Sequence, residues 1–323
     1  HNSGSRDYLR ACKKDIKSMI NKNIAVLCGG WSEERLISLK SGDSVFKCLK
    51  ENGYEVSKID VKTASEAFNK ELYSEFDLVF ILLHGRGGED GEIQKFFEEN
   101  DIVFTGSNSQ SSRITMNKIK TKEIWKKNNI KTPEYFIYEE NFLLDNLSSF
   151  ERWVIKPNLE GSSNGISFYN NIEGKEDFQK KINLAKKYDD SILIERFIDG
   201  KEITVPIINK RCLTPIHIIP EGEFYDFDAK YISNKTKYLE YAIESERLDT
   251  LNNLVINAYE LVGAENWGRI DIIDDGIDYF LIELNSVPGM TETSLVPKSS
   301  HLSGISYLEL LESIMDDALA KKA

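Results

Sequence analysis

A chain of 323 residues is too long for one simple core and points to two or three domains. Its 41% hydrophobic and 11% aromatic content is that of an ordinary globular protein. A net charge of -12 argues against nonspecific nucleic-acid or anionic-membrane partners, so any phosphate site must be a local cluster of lysines.

Cys12, Cys28, Cys48 and Cys212 are scattered without a CxxC or a histidine partner and read as reduced thiols of a cytoplasmic protein. No apolar run approaches the roughly 20 residues of a membrane span. Residues 1–18 mix basic and acidic side chains without the apolar centre of a secretion signal. His1 to Ser5 has the look of a tag remnant and Met19 that of a natural start, so this leader is set apart from the fold.

The apolar run Ile24 to Cys28 predicts a buried strand of a parallel sheet. Gly29 and Gly30 open a tight loop, and Ser32 with Glu33 and Glu34 predicts a helix cap and first turn, the helix ending near Gly53. Strands over 54–61 and 77–83 with a helix over 64–73 complete a βαβαβ pattern. Residues 19–113 thus form an open α/β domain, whose ligands bind at the carboxyl ends of its strands. Those ends carry GGWSEER and HGRGGEDG, and neither is a G-x-G-x-x-G dinucleotide fingerprint. His84, among glycines that let backbone approach a ligand, reads equally as a substrate contact and as a loop brace.

From Ile114 the composition shifts to a lysine-rich helix ending before Pro133. Spacing puts most of its lysines on a solvated face and does not single out Lys118. Trp153 to Pro157 predicts a strand with Lys156 near its end, followed by NLEGSSNG and a return strand over 166–169. Such a loop can wrap polyphosphate with backbone amides and hydroxyls, its lysine supplying charge, although in isolation the plainer reading is a connector. The strand over 191–198 offers Glu195 to Ile198 as backbone and apolar cover for a flat purine, or merely ends there. Pro206 places the next strand, 202–208, at an edge or bulge. The aromatic-rich stretch 220–241, with Lys230 and Tyr231, is too long for a connector and reads as a lid. A helix over 244–262 has apolar residues at helical spacing and packs under the strands after it.

Those strands lie in GRIDIIDDGIDYFLIELNSVPGM, residues 268–290, a hairpin around Asp274-Asp275-Gly276. Pairing Asp271 with Leu281 would send Ile270, Ile272, Phe280, Ile282 and Leu284 to a core face and Arg269, Asp271, Glu283 and Asn285 to the other. Two carboxylates and an amide suit Mg²⁺ carried in with phosphates and do not suit zinc. The alternative is the solvated side of an antiparallel sheet. Pro288 and Gly289 then let the chain turn with its amides toward a ligand.

In chain order, GGWSEER, LHGRGGEDG, TGS with MNKIKTK, IKPNLEGSSNG, FYDFDAKY, WGRIDI and ELNSVPGM with SLVP resemble the D-alanine:D-alanine ligase family of the ATP-grasp fold, from Ile24 to about Ile314. Their combination is specific where each alone is not. The resemblance implies an α/β protein with a Rossmann-like open parallel sheet first, then a central ATP-grasp subdomain (114–199) and a C-terminal one of α+β character (200–323). It implies a cytoplasmic homodimer, binding neither nucleic acid nor membrane, that joins two D-alanines through an acyl phosphate in peptidoglycan precursor synthesis. ATP and two Mg²⁺ ions, with Mn²⁺ as a possible substitute, are the implied cofactors.

Residue by residue, Asp271, Glu283 and Asn285 resemble the metal ligands, and Lys118, Lys156 and Lys230 the lysines of the ATP site. Glu160, Gly161, Ser162 and Ser163 resemble the phosphate cover, Glu195, Phe197 and Ile198 the adenine contact, and Glu202 the ribose contact. Arg269 and the Gly289 amide resemble the oxyanion pair. Glu34 and His84 resemble the first-substrate pocket, and Ser294 and Leu295 the grip on the second carboxylate. Tyr231 resembles the lid tyrosine that reaches Ser162 and Glu34 and accompanies an amine nucleophile. The chain departs from the family at Ser286-Val287-Pro288, at Thr293 where a histidine is common, and at the lid's Leu-Glu-Tyr end.

Overall fold

The apolar run at the start puts β1 (Asn23–Gly29) at the centre of a parallel sheet, between β2 (Glu55–Val61) and β3 (Leu78–Ile81), in a computed structural model that describes residues 21–220 and 236–321. Ile24 pairs with Val56 on one side and Leu78 on the other, and Ile24 to Cys28 are all buried. α1 (Arg35–Glu51) lies on this sheet at Gly42, where a Cβ would stand 2.6 Å from Cys28 Sγ, so only glycine permits the approach. The single helix expected over 64–73 is instead α2 (Ala64–Ala67) and a 3₁₀ turn (Lys70–Tyr73), because Thr63 caps the first and Asn69 caps the second. The chain's last helix, α9 (Tyr307–Ala320), returns to this core with Leu310, Leu311, Ile314 and Met315.

α3 (Glu92–Glu99) and α4 (Ser109–Met116) lead to α5 (Lys118–Lys127). Asn117 takes an extended conformation and accepts Lys120 N–H, so the lysine-rich helix starts afresh at Lys118. The central antiparallel sheet has the order β4-β7-β5-β6, from β4 (Tyr135–Ile137), β5 (Arg152–Pro157), β6 (Ser167–Asn170) and β7 (Ile192–Arg196). α6 (Lys175–Ala185) covers it through Phe178 and Ile182.

The last sheet runs β11-β10-β8-β12-β13, from β8 (Lys201–Ile208), β10 (Ile216–Ile219), β11 (Lys237–Glu240), β12 (Trp267–Asp274) and β13 (Tyr279–Asn285), with β9 (Arg211–Cys212) on β8. Pro206 pointed to an edge or a bulge; β8 is an interior strand whose pairing with β12 runs through Pro206 without a register shift. Pro206 falls between the β10 pairing, which stops at Thr204, and the β9 pairing, which begins at Ile207; its carbonyl accepts Leu213 N–H at 2.9 Å there. α7 (Ser245–Leu261) buries Leu251, Val255, Ala258 and Tyr259 against Ile203, Val205, Ile270 and Ile272. α8 (Leu295–Leu302) comes after the hairpin.

The hairpin register differs from the expected one. Asp271 pairs with Glu283 and Ile272 with Leu281, a bulge that leaves Ile282 as the extra residue. Leu281 and Tyr279 therefore turn into the core in place of Ile282 and Phe280, which are only partly buried. Burying such side chains stabilises by about 1.5–3 kcal/mol each, so the bulged register is held by the core it fills. Asp271 and Glu283 stay on the face away from α7 and become direct cross-strand neighbours.

Candidate active site

Asp271 is buried and fully engaged. Arg269 donates from Nε to Oδ1 at 2.9 Å and from Nη2 to Oδ2 at 2.7 Å, Thr204 donates its hydroxyl to Oδ1 at 2.6 Å, and Asn285 donates Nδ2–H to Oδ2 at 3.1 Å. The β12–β13 register and the neighbouring β8 thus bring Arg269, Asp271, Glu283 and Asn285 onto one surface. Lys118 Nζ lies 3.6 Å from Glu283 Oε2. Among the described residues no three His, Cys, Asp or Glu side chains gather as a metal cage. Two carboxylates and an amide instead fit an ion that completes its shell with substrate phosphates, as Mg²⁺ does.

Asp271 and Glu283 of this surface line one wall of a cavity of about 710 Å³ between the central and last sheets. The opposite wall carries Lys156, Glu195, Phe197 and Ile198, with Glu160, Gly161, Ser162 and Ser163 over it and Glu202 at its side. α5 delivers Lys118 because Asn158, just past β5, ties down its first turn: Ile119 N–H donates to Asn158 Oδ1 at 3.0 Å. Lys118 Nζ then donates to the Glu160 carbonyl at 2.5 Å. Ser162 and Ser163 both hold positive φ, 52° and 61°, conformations uncommon outside glycine that concentrate at ligand clamps.

Glu195 is buried between two lysines, its oxygens ion-paired with Lys122 and Lys156. Burial alone would push its carboxyl up, but the ammonium groups of Lys122 and Lys156 outweigh this and hold it below the ordinary carboxylate range. Burial pulls Lys122 down to about 8 despite the raising influence of Glu195.

A second cavity of about 500 Å³ opens beside the first and shares Gly161, Ser162 and Glu283 with it. It is lined by Glu34, His84, Arg269, Asn285, Gly289, Ser294 and Leu295. Ser32 does not cap α1 as expected. Its hydroxyl donates to the His84 carbonyl at 2.6 Å and accepts Glu34 N–H at 3.2 Å, joining the two glycine loops at the strand ends. Glu34 then accepts the hydroxyl of Ser162, which links the first domain to the phosphate cover. Burial lowers His84 to about 4, with Arg269 adding to the effect against a raising backbone contact at Leu83, so the imidazole is neutral at pH 7. Ser294 Oγ accepts Thr291 N–H at 3.1 Å and stands 3.1 Å from where a Cβ on Gly289 would fall.

Lys230 and Tyr231 lie outside the described residues; the rest of the expected set lines these two cavities. Sequence reasoning missed Lys122, Thr204 and Glu89. Lys122 stands four residues after Lys118 and so shares its helix face, a signal that was available. Thr204 carried none. Glu89 lines the second cavity and accepts Gly85 N–H at 2.7 Å. Burial, with Glu34 nearby, raises its carboxyl to about 8.

A nucleotide-sized cavity between two antiparallel sheets, meeting a second cavity at a glycine-serine loop, is the arrangement of an ATP-grasp carboxylate–amine ligase. Family models described as D-ala D-ala ligase N-terminus and C-terminus match residues 62–107 and 144–316. The D-alanine--D-alanine ligase of Actinobacillus succinogenes is 40% identical over 309 residues, covering 93% of this chain and 99% of that protein. The crystal structure of D-alanine--D-alanine ligase from Bacillus anthracis superposes with a TM-score of 0.81 at 30% identity, covering 93% of this chain and 98% of that one. The Bacillus anthracis enzyme complexed with ATP matches with a TM-score of 0.81 at 29% identity. The chain belongs to the D-alanine:D-alanine ligase family.

Proposed function

We propose that the protein uses ATP to join two D-alanines into D-alanyl-D-alanine for peptidoglycan precursor synthesis. The observation that carries this reading is the shared wall of the two cavities: Gly161, Ser162 and Glu283 face both, so a phosphoryl group can pass between their occupants.

In the first cavity Glu195, Phe197 and Ile198 hold the base, Glu202 the ribose, and Lys118 and Lys156 the phosphates, covered by Glu160 to Ser163, with Lys230 a further ATP-site lysine by resemblance. Asp271, Glu283 and Asn285 would hold two Mg²⁺ ions, or Mn²⁺ in their place, which when bound neutralise phosphate charge. In the second cavity Glu34 takes the ammonium of the first D-alanine beside His84, so that its carboxylate faces the γ-phosphate. A carboxylate oxygen attacks the γ-phosphorus and ADP leaves. The amine of the second D-alanine, held through its carboxylate at Ser294 and Leu295, attacks the acyl carbonyl. Arg269 and the Gly289 amide steady the developing oxyanion, each such donor contributing roughly 3 kcal/mol. Phosphate then departs with the oxygen that D-alanine supplied.

Tyr231, which lies outside the described residues, is by resemblance the residue that favours an amine over a hydroxyl acceptor. The protein acts in the cytoplasm, as a homodimer formed through the first domain. Phosphate release measured with D-alanine, L-alanine, D-serine and D-lactate tests the reading: D-alanine alone should support full turnover with a dipeptide product. Faster turnover on any of the others without D-alanine would overturn it.

A further inference from the structure

Lys122 is an unusual residue in this molecule: a lysine with no exposed surface, ranking among the largest fully buried side chains. Taking an ammonium group out of water costs several kcal/mol unless its donors are met, so such a residue persists where its charge has work to do. Its Nζ donates to Thr132 Oγ1 at 2.7 Å, reaches the Leu281 carbonyl at 3.5 Å and pairs with one oxygen of Glu195. Thr132 Oγ1 in turn donates to the same Leu281 carbonyl at 2.8 Å. Lys122 therefore ties the central sheet, through Glu195 on β7, to the hairpin, through Leu281 on β13. It does so two residues before Glu283.

Glu195 and Lys156 line the nucleotide cavity, whereas Lys122 is not among the lining residues and lies behind Glu195. The charges on the wall result from this layering. With Lys156 alone, Glu195 would form a neutral pair and Lys156 would be spent on it. With Lys122 behind, the cluster carries one net positive charge, and that charge faces the cavity on Lys156. A carboxylate kept ionised also has only acceptors to offer, so it can take a hydrogen bond from an exocyclic amine and has nothing to give a keto oxygen.

We propose that Lys122 is a positioning residue for nucleotide recognition: from behind the cavity wall it holds Glu195 as a charged acceptor for the amino edge of the purine and leaves the charge of Lys156 for the phosphates. This rests on the first cavity being the ATP site. Sites built to pair a particular polar group reject analogues lacking it strongly, because the buried partner is left unmet. Adenine should accordingly be preferred over guanine.

The test is initial-rate phosphate release at saturating D-alanine, with ATP and GTP varied, on the wild-type protein and on Lys122→Met. The wild type should prefer ATP by about 100-fold or more in kcat/KM. Lys122→Met should raise KM for ATP by about 10-fold, leave KM for D-alanine within about two-fold, and erode the preference for ATP by about 10-fold. A wild type that uses GTP as readily as ATP overturns the inference without any variant. A folded Lys122→Met protein with unchanged KM for ATP and unchanged base preference also overturns it, as does equal loss toward ATP and D-alanine. If Lys122→Met does not fold, Lys122→Gln, which keeps Glu195 in place and an amide donor toward it without the charge, decides the matter. That protein should show the same raised KM for ATP and eroded base preference, and wild-type values for both contradict the proposal. Absence of any D-alanine-dependent phosphate release from the wild type would instead strike the assignment of the reaction.

Discussion

Asp271→Asn isolates charge from shape at the hairpin surface. The amide keeps the size of the carboxylate and one acceptor oxygen, but it turns an N–H toward a guanidinium that now donates twice to Asp271. About one charge-assisted hydrogen bond is lost, roughly 1.5–3 kcal/mol of stability. A domain of ordinary stability, about 5–15 kcal/mol, stays folded at 25 °C after such a loss, although its melting temperature falls by several degrees. Turnover depends on the same charge differently. If Asp271 helps hold the ions that neutralise the transferred phosphoryl group, removing it forfeits roughly 3 kcal/mol in the transition state, about 100-fold in kcat. Phosphate release across a range of Mg²⁺ concentrations, beside a thermal melt, separates the effects. The expected result is a kcat lowered by about 100-fold and a shifted Mg²⁺ dependence in a folded protein. A loss explained by the unfolded fraction, with wild-type Mg²⁺ dependence, refutes the metal role.

Thr204→Val removes the hydroxyl that orients Asp271 at 2.6 Å and should cost about 1 kcal/mol of stability and raise the Mg²⁺ requirement several-fold, read from the same titration. Ser162→Ala breaks the link to Glu34 and should raise KM for the first D-alanine about 10-fold with a smaller effect on melting temperature. His84 is neutral in the fold and resists protonation down to about 4, so unfolded chains take up a proton first as pH drops below 6.5. Stability should fall between pH 6.5 and 4, by up to about 3 kcal/mol, and His84→Gln should flatten that part of the stability curve. Glu89 has the opposite sign: its raised carboxyl holds a proton that the unfolded chain releases near pH 4.5. Its contribution to stability should decline from about pH 5 to 8, opposing that of His84 where the two ranges overlap, and Glu89→Gln should remove that decline in chemical denaturation series.

Much of this was legible where local chemistry dominates. The glycine-serine loop rooted at Lys156 reads by itself as a connector, whereas the apolar run of β1 and the glycines after it announce a buried strand and a tight loop through residue type and spacing. The hairpin was visible for the same reason, but its register was not: the bulge at Ile282 depends on which side chains fill the core over α7, and a period of two cannot report that. Lys122 escaped because a lysine on a helix is ordinarily solvated, and its burial becomes tolerable once Glu195 from β7, Thr132 and the Leu281 carbonyl gather around it. Pro206 misled because a gap between two partner strands serves a missing N–H as well as an edge does. Ser32 had the sequence of a cap, but the carbonyl of His84 comes within reach of its hydroxyl once the parallel sheet sets the two loops side by side.

The central claim is that a D-alanine carboxylate is phosphorylated at the wall where the two cavities meet. It is tested most directly by following oxygen. D-alanine labelled with ¹⁸O in its carboxylate, ATP and magnesium are turned over, and the inorganic phosphate is weighed by mass spectrometry. Activation as an acyl phosphate predicts one labelled oxygen in phosphate for each dipeptide formed. Unlabelled phosphate alongside dipeptide, or label in AMP, would contradict it.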